Sequence, residues 1–145
     1  MNQEIAIKVT NAHNRIKLVR ETLGKFLDHL KSHTDPEGLP SKISIEDGVI
    51  SVDCFGTAIS AVPRTVSDGA SRFAIEYVFY NGEAKKSEEV WRFYLTSEGY
   101  LVNTLERQDS ICDFDNRFIA KYICLSVLSN ALDSSMFLPC EHAAG

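Results

Sequence analysis

A regular pattern of apolar residues runs through the first thirty residues of the chain. Consecutive members are separated alternately by four and three residues, which is the repeat of an α-helix with one continuous apolar stripe. The pattern predicts a long helix over residues 1–33, and the segment HTDPEGLP (33–40), with two prolines and a glycine, is expected to end it. A stripe this regular favours packing against another helix, in the same chain or in a second copy. We call this stripe the apolar seam, and it consists of Ile5, Val9, Ala12, Ile16, Val19, Leu23, Phe26 and Leu30.

The segment ISIEDGVISV (43–52) has the pattern of a β-hairpin. Asp47-Gly48 is a preferred pair for a two-residue turn, and apolar residues alternate with polar ones on both sides of it. With this turn, Ile45 lies opposite Ile50, and the apolar side chains of the two strands share one face. Local propensity, alternation and turn chemistry agree, so the sequence predicts both the hairpin and its register.

An antiparallel sheet is predicted over residues 42–105. The second strand of the hairpin is expected to reach about Val62 before Pro63 stops it, because proline cannot donate to a strand ladder. Sequential strands usually pair with their neighbours, so the five predicted strands form a meander. Three of them follow the hairpin, at residues 73–80, 90–95 and 100–105.

The last long apolar segment predicts a second helix over residues 113–133. Asp113 and Asp115 suit its start, because a carboxylate accepts hydrogen bonds from the free N–H groups of a first helical turn. The apolar residues of this helix leave almost no polar face, which is typical of a buried helix. Residues 134–145 are predicted to form an irregular tail.

These elements together predict one α+β domain over residues 1–145. A long N-terminal helix is followed by a five-stranded antiparallel meander sheet and a C-terminal helix, and both helices are expected to pack on one sheet face. A chain of 145 residues, 44% of them hydrophobic, is long enough to build a core without a metal or a disulfide.

The charge and the cysteines exclude some classes of partner. The formal net charge is −5, and even residues 1–40, the most basic part, carry only +1, so we expect no nucleic-acid partner.

The most apolar run, FIAKYICLSVLSNAL (118–132), is too short and too polar to span a bilayer. No signal-peptide core follows the first methionine and no Cys-x-x-Cys pair is present, so we expect a cytoplasmic protein with reduced thiols. Cys54 and Cys124 are interpreted as small core residues.

Residues that could carry chemistry are few and lack the spacing of known sites. His29 and His33 could share one helix face, but a zinc site requires a third ligand. Glu83 and Lys85 have the Glu-x-Lys spacing of metal-dependent nucleases, with Asp68 upstream, yet the pair falls in a predicted loop. The chain has no Gly-x-Ser-x-Gly elbow and no glycine-rich phosphate loop, so the sequence predicts no metal, no cofactor and no enzyme. Helix capping is the interpretation of one acidic cluster, Asp109, Asp113 and Asp115.

What remains is an aromatic pattern on the predicted strands. Tyrosine and arginine are over-represented at protein interfaces, and several of them fall on the sheet face opposite the core. The acidic composition and the lack of catalytic motifs favour a protein-binding module, an inhibitor or immunity-type protein that occludes its partner. Its candidate contact residues are Tyr80, Glu88, Glu89, Arg92 and Tyr94.

Two alternatives stay open at this point. A homodimeric chaperone or adaptor would pair the apolar seam between two copies. A small-ligand binder or enzyme would hold its ligand in a pocket between the sheet and the helices, lined by Trp91, Tyr77 and Tyr122.

Overall fold

The computed structural model describes residues 2–67, 72–81, 88–106 and 110–137. It confirms an α+β fold, in which an antiparallel sheet lies between an N-terminal and a C-terminal helix along the chain. The sheet curls into a half-barrel, and its strands follow one another in sequence order. The elements are α1 (Gln3–Lys31), β1 (Ile43–Glu46), β2 (Val49–Cys54), β3 (Thr57–Ser67), β4 (Phe73–Tyr80), β5 (Glu89–Thr96), β6 (Tyr100–Val102), β7 (Ser110–Asp113), α2 (Ile119–Leu132) and a short 3₁₀ helix (Ser135–Phe137).

Helix α1 closely follows the predicted span. Asn2 caps its start, because the side-chain oxygen of Asn2 accepts a hydrogen bond of 2.9 Å from the backbone N–H of Glu4. At the other end the backbone N–H groups of Ser32 and His33 donate to carbonyls of the last turn, and the proline-containing segment begins just beyond. Both ends of the helix are therefore set by local sequence.

The first hairpin has the register that the sequence predicts. Ile45 pairs with Ile50 and Ser44 with Ser51. Strands β4 and β5 also match the predicted third and fourth strands, with Phe79 opposite Trp91. Alternating apolar residues were sufficient to place these elements.

The sheet has seven strands, not five, and the first missed strand is β3. The prediction was wrong here because a second two-residue turn, at Phe55-Gly56, ends β2 and begins β3. Both turn residues have positive φ, 52° and 95°, a conformation that phenylalanine rarely adopts. Pro63 does not interrupt β3, because the pairing of β3 with β2 already ends at Ala61. At position 63 the edge of β3 that faces β2 has no β2 residue paired with it, so the N–H that proline lacks is not needed there.

The second missed strand is β7, which overlaps the predicted second helix only at Asp113. Strand β6 ends at Val102 rather than at residue 105, and β7 pairs with it, with Leu101 opposite Cys112. Asp113 is the last residue of β7 and not a helix cap. Helix α2 begins at Ile119 instead, after a turn in which the Asn116 side chain accepts from the backbone N–H of Phe118.

Both helices contact the sheet through one cluster of aromatic rings. Phe26 of α1 meets Tyr77 and Phe93 edge-on, at centroid distances of 6.3 and 6.0 Å. Tyr122 of α2 meets Trp91, which lies 5.4 Å from Phe93. This cluster and the aliphatic residues around it form the hydrophobic core.

The two central cysteines lie in the core, as the sequence predicts. Cys54 and Cys124 are completely buried, and burial raises the pKa of the Cys124 thiol to about 11. Both thiols therefore stay neutral near pH 7 and act as small apolar side chains.

Helix α2 is not buried on all sides, which corrects the prediction. Its inner face packs on the sheet through Ile123 and Val127, whereas Leu125 and Leu132 are about half exposed. Neither helix within the described ranges is long and apolar enough to cross a membrane.

Candidate functional site

A network of charged side chains lies on the sheet face opposite the aromatic cluster, which we call the outer face. Glu76 stands at its centre on β4 and is buried, with 7% of its surface exposed. One carboxylate oxygen of Glu76 accepts a hydrogen bond of 2.7 Å from Arg64 on β3, and the other accepts one of 3.4 Å from Arg92 on β5. A buried carboxylate needs such partners, so Glu76 fixes both arginines across three neighbouring strands.

Arg92 makes further contacts on its own strand. Its guanidinium forms a two-pronged pair with Glu89 and donates a hydrogen bond of 3.1 Å to the hydroxyl of Tyr94. Hydrogen bonding to Arg92 lowers the pKa of Glu89, and the same pair raises the pKa of Arg92. The guanidinium is therefore held in one orientation by three side chains.

A β-bulge brings Glu89 and Arg92 to the same face. Residues three apart on a regular strand point to opposite faces, but the register shifts between Phe79 and Tyr80, so that Tyr80 pairs with Glu89. A bulge changes the face to which the following side chains point, and strict alternation along a strand does not predict it.

Two exposed apolar side chains stand beside this network. Val62 on β3 is 66% exposed, and Tyr80 on β4 is 44% exposed. Val62 pairs with Val78, which in turn pairs with Arg92, so all of them belong to one stretch of the outer face. We call this surface the outer patch, and it consists of Val62, Tyr80, Glu89, Arg92 and Tyr94, supported from below by Glu76. A groove of about 510 Å³ next to it is lined in part by Arg92 and Tyr94.

The structure brings four of the five predicted contact residues together and places the fifth elsewhere. Glu88 accepts hydrogen bonds from the backbone N–H and the hydroxyl of Ser135, at 2.9 and 3.0 Å. It thereby anchors the 3₁₀ helix to the start of β5 and takes no part in the outer patch. Sequence reasoning missed Glu76, although an acidic residue in the middle of the apolar strand FAIEYVFY was a usable signal.

A second candidate surface lies on the N-terminal half of α1. The C-terminal half of the apolar seam, from Val19 to Leu30, is buried against the sheet. The N-terminal half is not, since Ile5 and Val9 are more than half exposed. We call this half the exposed seam, and it consists of Ile5 and Val9, which are exposed, and Ala12 and Ile16, which are partly buried. A groove of about 630 Å³ runs between this part of α1 and the start of β4, where Phe73 lies.

The other residues considered from the sequence have structural partners. His29 Nε2 lies 3.0 Å from the carbonyl oxygen of Asn116, and His33 Nδ1 lies 3.0 Å from the carbonyl oxygen of His29. Among the residues that the structure describes, no group of three His, Cys, Asp or Glu side chains is arranged to hold a metal ion. Four residues of the considered motifs lie outside the described ranges: Asp68, Glu83, Lys85 and Asp109.

The rings that would line an internal pocket are packed against other rings. Tyr77 is completely buried, its ring stacks on Phe93 at 5.2 Å, and its hydroxyl donates a hydrogen bond of 2.7 Å to the carbonyl of Gly48. Burial raises the pKa of this hydroxyl, so it remains a donor. Trp91 and Tyr122 contact each other at 5.8 Å. This packing weighs against a ligand pocket at that place.

Comparison of the chain with protein-family models, with curated proteins and with solved structures found no match.

Proposed function

We propose that this protein is a protein-binding module of the inhibitor or immunity type, which acts by covering a surface of a partner protein with its outer patch. The observation that carries the proposal is the placement of exposed Val62 and Tyr80 beside an arginine and a tyrosine that are already held in place. Tyrosine and arginine dominate the energetics of protein interfaces, and an apolar centre with a polar surround is the usual arrangement.

The charged network supports this proposal through preorganisation. An arginine on a flexible stem loses side-chain entropy when a partner immobilises it, a cost of about 0.5–1.5 kcal/mol for each such side chain. Arg92 has already lost that freedom, because Glu76, Glu89 and Tyr94 hold it in the unbound protein. Binding of a partner to the outer patch therefore costs less side-chain entropy than binding to a surface with flexible charged residues.

The test compares two tyrosines with equal exposure. Tyr80 lies in the outer patch and Tyr100 lies on β6, and each is 44% exposed. The partner is first captured from a lysate of the native host with the tagged protein, and its affinity is then measured for the wild type and for Tyr80→Ser and Tyr100→Ser. We expect Tyr80→Ser to weaken binding about tenfold, or about 1.4 kcal/mol, and Tyr100→Ser to have little effect. Equal affinities for all three proteins would show that the outer patch is not the contact surface.

A second candidate function, that of a chaperone or adaptor, is favoured by the exposed seam. In its homodimeric form, two copies would pair these apolar residues. Light scattering of the purified protein over a range of concentrations tests this form directly. A mass of 16.2 kDa at every concentration would exclude the homodimer, and twice that mass would support it.

A further inference from the structure

The exposed seam continues the helix face whose C-terminal half packs against the sheet. The same spacing of four and three residues runs through both halves of α1, and the C-terminal half packs into the core. The N-terminal half continues this spacing with apolar side chains on the same side of the helix, yet Ile5 and Val9 are exposed. This helix face has the spacing of a helix–helix contact, and the described residues leave Ile5 and Val9 on it exposed.

The charges around the exposed seam are strongly biased. Residues 2–20 contain four basic side chains and one acidic side chain, a net charge of +3. The remaining residues contain eleven basic and nineteen acidic side chains, a net charge of −8. At 3.6 residues per turn, Lys8 lies about 60° to one side of Ile5. Arg20 lies about 60° to the other side, next to buried Val19, and its guanidinium also donates a hydrogen bond of 3.3 Å to Thr65. Basic residues therefore lie on both sides of the apolar seam.

These charges argue against a second copy as the occupant. An antiparallel pair could match the apolar residues, with Ile5 opposite Ile16 and Val9 opposite Ala12 of a second copy. The same alignment places Lys8 near Arg15 of that copy, and it brings two segments of charge +3 together. Like charges along the edges of a helix pair oppose association, and opposite charges select the partner.

We propose that the exposed seam is the docking site for an acidic amphipathic helix of a partner protein. The partner helix would carry apolar residues at heptad spacing, which pack on the seam, and Asp or Glu at the positions that flank them. Lys8 and Arg20 would each face one of these acidic edges. The proposal does not depend on the outer patch, which lies on a different element of the fold.

The experiment uses the full chain and defined peptides. The probe is a fluorescent helical peptide of about 18 residues, with Leu at the seam positions and Glu at the flanking positions. A second peptide has Gln in place of every Glu, and vesicles of phosphatidylserine and phosphatidylcholine test an anionic membrane surface. We expect the Glu peptide to bind at least about tenfold more tightly than the Gln peptide, and its affinity to fall as salt is added.

Two matched pairs of variants locate the contact. Val9→Ser, in the seam, should weaken binding of the Glu peptide about tenfold, whereas Leu18→Ser should not, because exposed Leu18 lies on the opposite side of the helix. Lys8→Glu should weaken it similarly, whereas Lys25→Glu, nine residues beyond the end of the exposed seam on the same helix, should not. Tyr80→Ser should leave peptide binding unchanged, so a failure of the outer patch is distinguishable from a failure of the exposed seam.

Each other outcome would overturn the proposal. Equal affinities for the Glu and Gln peptides would show that acidic flanks are not recognised. Binding to the vesicles without binding to the peptide would assign the seam to an anionic membrane surface. A doubled mass that Val9→Ser returns to 16.2 kDa would assign it to a second copy.

Discussion

The same substitution at two positions of the apolar seam should lower stability at one position and leave it nearly unchanged at the other. Val9 and Val19 are ten residues apart on α1 and belong to one periodic pattern. Val19 is completely buried, whereas Val9 is 62% exposed. Val19→Ala should therefore destabilise the protein clearly, and Val9→Ala should leave the free energy of unfolding almost unchanged.

The magnitudes follow from burial and helix propensity. Replacing valine by alanine removes two methyl groups, worth about 1.6 kcal/mol when fully buried, and a cavity adds about 1 kcal/mol. Alanine is the better helix former by about 0.6 kcal/mol. The net loss at Val19 is then about 2 kcal/mol. At Val9 only about a third of the side chain is buried, so the loss of about 0.6 kcal/mol is offset by helix propensity.

Urea unfolding followed by circular dichroism measures both values. With a slope of about 2 kcal/mol/M, Val19→Ala should lower the midpoint by about 1 M, and Val9→Ala by less than about 0.2 M. The measurement is repeated over a hundredfold range of protein concentration. If Val9→Ala lowers stability as much as Val19→Ala in dilute protein, Val9 is buried in the single chain and the exposed seam does not exist. If the loss grows with protein concentration, a second copy covers the seam.

Two further predictions concern the sheet and its charges. Gly99 has a φ of +93°, and an added Cβ would lie 2.9 Å from Phe114 Cδ1, so Gly99→Ala should lower the free energy of unfolding by about 2–3 kcal/mol. Gly38→Ala, at a φ of +83° with open space around it, should lower it by only about 1 kcal/mol, and equal losses in thermal unfolding would argue against the clash. Because the hydrogen bond from Arg92 lowers the pKa of Glu89 below the ordinary value of 4.5, their pair contributes stability above that pH and loses it as the pH falls through the folded pKa. The stability difference between wild type and Glu89→Gln should therefore shrink below pH 4.5, and a difference that stays constant with pH would contradict it.

The parts of the fold that the sequence predicts correctly are those in which local signals agree. The hairpin at Asp47-Gly48 combines alternation with a preferred turn pair, and its register is confirmed. The turn at Phe55-Gly56 also has positive φ at both residues, but phenylalanine gives no turn signal, because its side chain disfavours that conformation. Its ring packs edge-on against Phe137, 5.7 Å away, a contact distant in sequence that no local pattern contains.

The sequence predicts which residues lie on the outer face, but it does not predict the hydrogen bonds that link them. The tyrosines and arginine of the outer patch were found because alternation assigns them to the face opposite the core. Their support by Glu76 depends on the registers of three strands, and one of these strands was not predicted. The sequence also contains no sign of the contact that Glu88 makes, since its partner Ser135 follows it by 47 residues and lies beyond α2.

The exposed seam shows what heptad spacing predicts and what has to be read from the lengths of the elements. A heptad pattern indicates that a helix face packs against something, but it does not identify the partner. A comparison of lengths shows how much of the face the sheet can cover. Helix α1 has 29 residues and extends about 44 Å at 1.5 Å per residue. Strand β4, on which α1 packs, has eight residues and extends only about 27 Å. Seven strands about 4.8 Å apart span about 29 Å in the other direction, so the sheet is shorter than the helix either way. A seam that continues past the end of its own sheet is left exposed at Ile5 and Val9 by the part of the chain that the structure describes, and the basic residues along its edges favour an acidic partner.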